Sequence, residues 1–299
     1  MLRGLLLASI GLCLAACKPE IPGLKIHESI NYCSGGEQKL LLDLIEPVDR
    51  EAKRPAIIFV HGGGWAAGSR HDYRPLMLDV VPKGFVAVSV DYRLSQIAKF
   101  PAQIEDVKCA VRWLRAHADE YGVNPNKIAA VGGSAGAHLV ALLGTTSNLG
   151  TTNNSDTANH EFEGQGGYPE QSSRIQAMVL HGGVYDLSPA FTEKSIREDS
   201  RNNVFALLGA QAQNNPQLYA KASPINWVSN SAVPSLFLHG EQDPVVSVEQ
   251  SRAMNVALKA AGANSELVVI PESGHADFGK DPDKVGQVFF RFLHKQLME

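Results

Sequence analysis

The chain has 299 residues, 44% of them hydrophobic and 19% charged, the proportions of an ordinary globular protein with room for one large domain or two small ones. Its formal net charge of -4 comes without any run of Lys or Arg, which argues against a nucleic acid or an anionic membrane surface as partner.

The opening stretch, MLRGLLLASIGLCLAAC, carries one basic residue, Arg3, and then an apolar run from Leu5 to Ala16 that is too short to cross a bilayer as a helix. It reads as a secretory signal. Leu14-Ala15-Ala16-Cys17 resembles the lipobox of bacterial lipoproteins, in which the cysteine is lipidated and becomes the mature N-terminus; the plainer alternative is an ordinary signal with a stray cysteine. The expectation is a signal over residues 1–16, a lipid on Cys17, a tether over 17–23 and a domain over 24–299. Such a protein is exported and faces the periplasm, touching the membrane only through its lipid. Cys33 and Cys109 then remain, as one bridge in an oxidising compartment or as two separately buried thiols.

Residues 29 to 47 contain two short strand-like pieces joined through Ser34-Gly35-Gly36, an N-terminal hairpin. Apolar runs of about five residues then alternate with amphipathic stretches: AIIFV (56–60), FVAVSVDY (85–92), KIAAV (127–131), IQAMVL (175–180), PSLFLHG (234–240) and ELVVI (266–270). Nearly continuous apolar strands separated by helices are what a parallel sheet covered on both faces requires. Ile104, Val107, Val111 and Leu114 recur at helical spacing, and residues 247–262 and the C-terminal KVGQVFFRFLHKQL behave alike. The fold class expected is α/β: one domain with about eight strands, helices on both faces and the hairpin at its start. Two segments break the alternation. Residues 145–172 are polar, and 187–231 have room for one or two short helices; either could close over a site.

AAVGGSAGAHLV (129–140) places strand, sharp turn and helix around Ser134. Gly132-Gly133-Ser134-Ala135-Gly136 fits G-x-S-x-G, a turn whose small flanking residues let strand and helix pack closely while one hydroxyl is exposed; a plain glycine-rich loop is the alternative. A serine hydroxyl is a weak nucleophile until a base takes its proton, so an acid and a histidine should follow in that order. Asp243 lies beyond the strand PSLFLHG and His275 beyond ELVVI, both on the sheet edge that carries Ser134. Asp186, Glu241 and Asp277 compete for the acid's role. His138 and His239 read as structural and His294 as a surface residue. FVHGGGWAAG (59–68) follows the first parallel strand, and its exposed amides at Gly63 and Gly64, with that of Ala135, could hold a carbonyl oxygen as it becomes negative. Gly62, Gly64 and Ala67 also fit a loose dinucleotide pattern, but Trp65 is large where a pyrophosphate would lie. No His or Cys spacing matches a metal-ligand set, so no cofactor and no metal are expected. Trp65 and Tyr92 are candidates for the substrate pocket or for ordinary packing.

HGGGW, VDYRL, GGSAGAHL, SSRIQAMV, ASPINWVS, LFLHGEQDPVV and PESGHADF together resemble the α/β-hydrolase esterases related to the bifunctional feruloyl and acetyl xylan esterases. The resemblance runs from about residue 40 to the C-terminus and implies a Ser134-His275-Asp243 triad, a serine-esterase mechanism and a small ester or an acylated oligosaccharide as partner. Kynurenine-formamidase-like and hormone-sensitive-lipase-like enzymes share parts of the pattern, and a non-catalytic surface binding protein is the alternative from outside enzymology. Ala137 stands where many relatives have a second glycine, which implies a difference in the pocket beside Ser134.

Overall fold

A computed structural model describes residues 21–50, 52–146, 162–275, 277 and 281–299. The expected leader, Cys17, most of the tether and residues 147–161 of the first long loop lie outside the described residues. Among the described residues no helix is long and apolar enough to cross a membrane.

The hairpin is longer than the strand-like pieces suggest. β1 (Leu24–Gly35) and β2 (Gln38–Pro47) pair antiparallel, with Gly35 opposite Gln38 and a tight turn at Gly36, whose φ of +68° suits a residue without a side chain. β2 pairs antiparallel with β4 (Val86–Val90), which lies beside β3 (Arg54–Val60). From there β5 (Val123–Gly133), β6 (Ala177–His181), β7 (Ser235–Gly240) and β8 (Ser265–Ile270) continue in parallel, giving eight strands in the order β1-β2-β4-β3-β5-β6-β7-β8. β5 starts four residues before the apolar run KIAAV. Its early part contains Pro125, which cannot donate to a ladder, and the register with β3 shifts there, between the pairs Arg54–Val123 and Ala56–Ile128.

Alternate residues of the inner strands feed two cores. Ala56, Ile58 and Val60 of β3 join one, with Val107 and Leu114 of α2 (Ala102–Ala116), α3 (Ala135–Thr146), and Met254 and Leu258 of a later helix, 249–260. Ile57 and Phe59 face the other, against Met77 and Val80 of α1 (Arg74–Val80) and Phe289, Phe292 and Leu293 of the C-terminal helix, 282–297. Strands buried on both faces must be apolar throughout, which is why they are so easily read from the sequence.

The segment 187–231 forms three short helices rather than one or two: α4 (Pro189–Ser195), α5 (Glu198–Leu208) and α6 (Pro216–Ala222), followed by a 3-10 turn over Pro224–Trp227. Proline opens α4 and α6, where a missing N–H costs nothing, and Gly209 closes α5 at φ +68°. Cys33 of β1 and Cys109 of α2 form a disulfide with 6.5 Å between their Cα atoms. It joins residues 76 apart in sequence, a loop long enough for the cross-link to contribute about 2–4 kcal/mol by constraining the unfolded chain. Residues after 161 pack over this region: the Glu163 carboxylate accepts from buried Lys108 (2.8 Å), buried Arg112 (2.7 Å) and Ser173 Oγ (2.7 Å).

Candidate active site

Val60 lies opposite Gly132, Gly133 opposite His181, and Gly240 opposite Ile270, so the loops after β3, β5, β6, β7 and β8 leave one edge of the sheet. β3 and β5 are neighbours although β4 separates them in sequence, so the chain changes its direction of travel across the sheet between them. Open α/β sheets bind ligands beyond the strand ends at such a point.

At the end of β5 the chain must turn at once into α3. Ser134 takes φ +53°, a left-handed conformation that costs an L-residue roughly 1–2 kcal/mol. Its N–H donates to His181 O (2.8 Å) and its carbonyl accepts from His138 N (3.1 Å), which hold the turn. Glycine is required around it: a Cβ at Gly136 would collide with the carbonyl of Val60, and one at Gly132 with the backbone of Gly136. Ala137 does not have the consequence expected of it. It is fully buried and does not line the cavity; its methyl packs toward Gly183, where a Cβ would fall 2.6 Å away. The space that the Ala137 methyl needs is supplied by the glycine at 183.

The loop after β3 packs directly on this turn, with Gly62 within reach of Gly133 O and Ser134 Cβ. Gly63, Gly64 and Trp65 all have positive φ (+98°, +60° and +57°), and Ala66 and Ala67 both donate to Gly63 O at 3.0 Å. Among the described residues the amides of Gly63, Gly64 and Ala135 have no hydrogen-bond acceptor, and all three residues line the cavity that holds Ser134. Ala135 opens α3, where first-turn amides and the helix dipole favour negative charge. Trp65 is in the cavity wall, its indole Nε1 donating to His138 Nδ1 (3.2 Å). Tyr92, the other pocket candidate, lies behind the loop instead. It is 2% exposed, stacks on His61 at 4.2 Å, and donates its hydroxyl to the carbonyls of His61 (3.0 Å) and Gly62 (3.3 Å). A polar tip on a buried ring has to find such a partner, and this one braces the glycines.

Asp243, after β7, is buried and saturated with donors. Oδ1 accepts from the amides of Val245 (2.8 Å) and Val246 (2.9 Å), and Oδ2 meets His275 Nδ1 (2.7 Å) and His239 Nε2 (3.3 Å). Burial alone would raise its pKa, but His239, His275 and the two amides outweigh it and hold the carboxyl well below the usual range. His275 lines the cavity, and a proton on the Nδ1 that meets Asp243 leaves the ring's lone pair on Nε2. Of the competing acids, Asp186 caps Ser188 N (2.8 Å) and Glu241 is exposed, while Asp277 enters through its backbone, its carbonyl accepting from Ser273 Oγ (2.6 Å).

The histidines read as structural are buried connectors. His138 accepts from Trp65 and donates Nε2–H to Ala222 O (2.8 Å); burial brings its pKa down to about 4, so it is neutral. His239 bonds Ser251 Oγ (2.7 Å) through Nδ1 and Val246 O (2.8 Å) through Nε2. His294 is on the surface beside Glu299. His181 was not singled out in the sequence, although it ends β6 between the strands that lead to Ser134 and Asp243. It lines the cavity, its carbonyl receives Ser134 N, and burial together with His239 and His275 lowers its pKa to about 4.

These groups enclose a cavity of about 590 Å³. Of the two long segments, 187–231 covers it, through Ile196, Arg197, Ser200, Asn203 and Val204; none of the described residues of 145–172 lines it. Val184, Val245 and Val246 complete its apolar wall.

A mostly parallel sheet with a serine on a strained strand-to-helix turn, and an acid and a histidine beyond two later strands, defines an α/β-hydrolase. Residues 42–258 match the family model BD-FAE, and the chain belongs to that family. Esterase LipQ of Mycobacterium tuberculosis is 35% identical over 266 residues, covering 86% of this chain and 60% of its own length. Esterase LipC of the same organism is 34% identical over 248 residues, covering 81% of this chain and 58% of its own length. The chain thus spans about three-fifths of the length of these curated relatives. Among solved structures, a truncated carbohydrate esterase from gut microbiota matches with a TM-score of 0.78 at 26% identity, over 92% of this chain and 97% of that one. A thermophilic esterase of the planctomycete Thermogutta terrifontis matches with a TM-score of 0.70 at 30% identity, over 93% and 94%.

Proposed function

We propose that this protein is a serine carboxylesterase that hydrolyses small acyl or aryl esters, including acetyl or feruloyl groups on plant polysaccharide. The pairing of His275 with Asp243 in the cavity that holds Ser134 carries this reading. Ser134 Oγ attacks the ester carbonyl while His275 Nε2 takes its proton, and Asp243 steadies the imidazolium. The amides of Gly63, Gly64 and Ala135 receive the oxyanion, each donor contributing about 3 kcal/mol to the transition state. His275 then protonates the departing alcohol, and water, activated by the same imidazole, attacks the acyl-serine to release the acid.

Similar proteins support the chemistry. The Thermogutta terrifontis esterase has been solved with propionate and with butyrate bound, and phosphonylated by sarin. A carbohydrate esterase among the structural neighbours, and a bifunctional GH43-CE protein of Bacteroides eggerthii with a TM-score of 0.75, support a sugar-linked ester. Export and lipidation of Cys17 belong to the same proposal, and a disulfide suits an oxidising compartment.

Ser134→Ala should lower turnover of 4-nitrophenyl acetate by several orders of magnitude and abolish labelling by a fluorophosphonate probe. Near-native turnover in this variant overturns the assignment.

A further inference from the structure

α5 does more than close the cavity. Arg197, immediately before the helix, Ser200 and Asn203 recur at three-residue spacing, share one helical face and all line the site. Arg197 and Asn203 are about 9 Å apart along the axis at 1.5 Å per residue. The Arg197 end is tied to the acid loop, since its amide donates to Val245 O (2.9 Å), next to the backbone that holds Asp243. Its guanidinium is already engaged, donating to Asp199 (2.6 Å), and Ser200 Oγ donates to the same carboxylate (3.3 Å). The Asn203 end meets the oxyanion loop: a Cβ at Gly64 would lie 3.0 Å from Asn203 Cγ. Its half-buried carboxamide makes no hydrogen bond to any described residue, whereas Asn215, Asn226 and Tyr219 of the same segment are each committed to backbone.

The strip therefore runs from the histidine side of the site, where the alcohol must be protonated as it leaves, to the loop that holds the carbonyl oxygen. Beside it, Val184, Val245 and Val246 form a wall with no hydrogen-bonding side chain. A short acyl chain suits that wall, and a hydroxylated alcohol suits the strip.

We propose that Asn203 is a specificity-determining residue whose carboxamide, beside Gly64, binds a free hydroxyl adjacent to the ester in a polyhydroxylated leaving alcohol. The proposal rests on the hydrolase reading and adds to it the group that distinguishes one alcohol from another. A carboxamide offers both a donor and an acceptor, so it accommodates a hydroxyl in either role.

The test compares a methyl xyloside carrying one acetyl beside a free hydroxyl with its deoxy analogue lacking that hydroxyl, with 4-nitrophenyl acetate as reference. The wild-type enzyme should favour the hydroxylated ester by about 3- to 10-fold in kcat/KM, the scale of one neutral hydrogen bond. Asn203→Leu, which keeps the branched outline of the side chain without its polar atoms, and Asn203→Ala should both erase that preference, bringing kcat/KM for the two xylosides together, with 4-nitrophenyl acetate reporting any general loss. A preference retained in both variants overturns the proposal, as does a wild-type enzyme with no preference. Equal losses on all three esters also overturn it, since they would show that Asn203 only props the Gly64 loop. Wild-type inactivity on every ester, with no fluorophosphonate labelling, would instead overturn the hydrolase reading underneath.

Discussion

Replacing Asp243 by Asn alters almost no volume and reverses one hydrogen-bonding group. Oδ1 faces two backbone donors, Val245 N at 2.8 Å and Val246 N at 2.9 Å, so the oxygen of the new carboxamide must stay on that side. Its NH2 then occupies the position of Oδ2, 2.7 Å from His275 Nδ1 and 3.3 Å from His239 Nε2. His275 can meet a donor there only by accepting through Nδ1, which moves its proton to Nε2. The lone pair that should take the Ser134 proton is then gone. Trapping the imidazole in the wrong tautomer is worth about 10⁴-fold in kcat. His239, which already uses Nε2 toward Val246 O, would confront the same NH2, so stability should also fall, by about 1–3 kcal/mol for one mismatched buried polar contact. The acid limb should change as well. A carboxyl whose folded pKa lies below its unfolded value, about 3.9, contributes stability that is present above that value and lost as pH falls through the folded pKa. Asn at 243 removes this contribution, so the variant should lose less stability than wild type as pH is lowered from about 4. Steady-state hydrolysis of 4-nitrophenyl acetate and denaturant melts across pH measure both. A variant within tenfold of wild type in kcat would refute the assignment of Asp243 as the residue that sets the histidine tautomer.

His138 gives a separate acid sensitivity at a higher pH. Burial lowers its folded pKa to about 4 from an unfolded value of about 6.5, so the stability due to keeping it neutral is complete above 6.5 and lost progressively as pH falls toward 4, about 3 kcal/mol in all. Denaturant melts between these pH values should show the decline, shared with His181, whose pKa also falls to about 4, and His138→Gln should remove about half of it; an unchanged slope contradicts the neutral buried imidazole. Cys17→Ser should move the protein from the membrane fraction to the soluble fraction after cell breakage and abolish incorporation of labelled fatty acid. Equal membrane association of the variant would rule out the lipid anchor.

The strands, the elbow and the acid and histidine loops were legible because each is written in a contiguous stretch. A doubly covered strand needs an apolar run, and a strained turn beside a helix needs Gly132, Gly133 and Gly136. What the sequence concealed is information about distance. Nothing local says that Cys33 and Cys109 meet, that Tyr92 reaches behind the glycine loop, or that Gly183 makes room for Ala137. β5 continued through Pro125 because a register shift removes the ladder bond that proline would break. His181 was missed for a different reason: its backbone carbonyl supports Ser134, and a carbonyl leaves no trace in residue identity. The sequence of 187–231 lacks a strong amphipathic repeat, since its short helices owe their placement to contacts with a site built by other strands.

The chain of bonds from Trp65 through His138 to Ala222 has a consequence for how the cavity could diversify. One neutral ring fastens the loop that carries Gly63 and Gly64 to the end of α6, and Ser223 alongside receives Leu187 N (2.9 Å) and donates to Tyr219 O (2.7 Å). The end of α6 is thereby bolted to that loop, whereas α5 is tied in at its start, where Arg197 N donates to Val245 O (2.9 Å), and Ser200 and Asn203 beyond that tie line the cavity. Residues on α5 such as Ser200 and Asn203 could be exchanged without breaking these bonds, whereas changes around residue 222 would disturb the loop that carries Gly63 and Gly64.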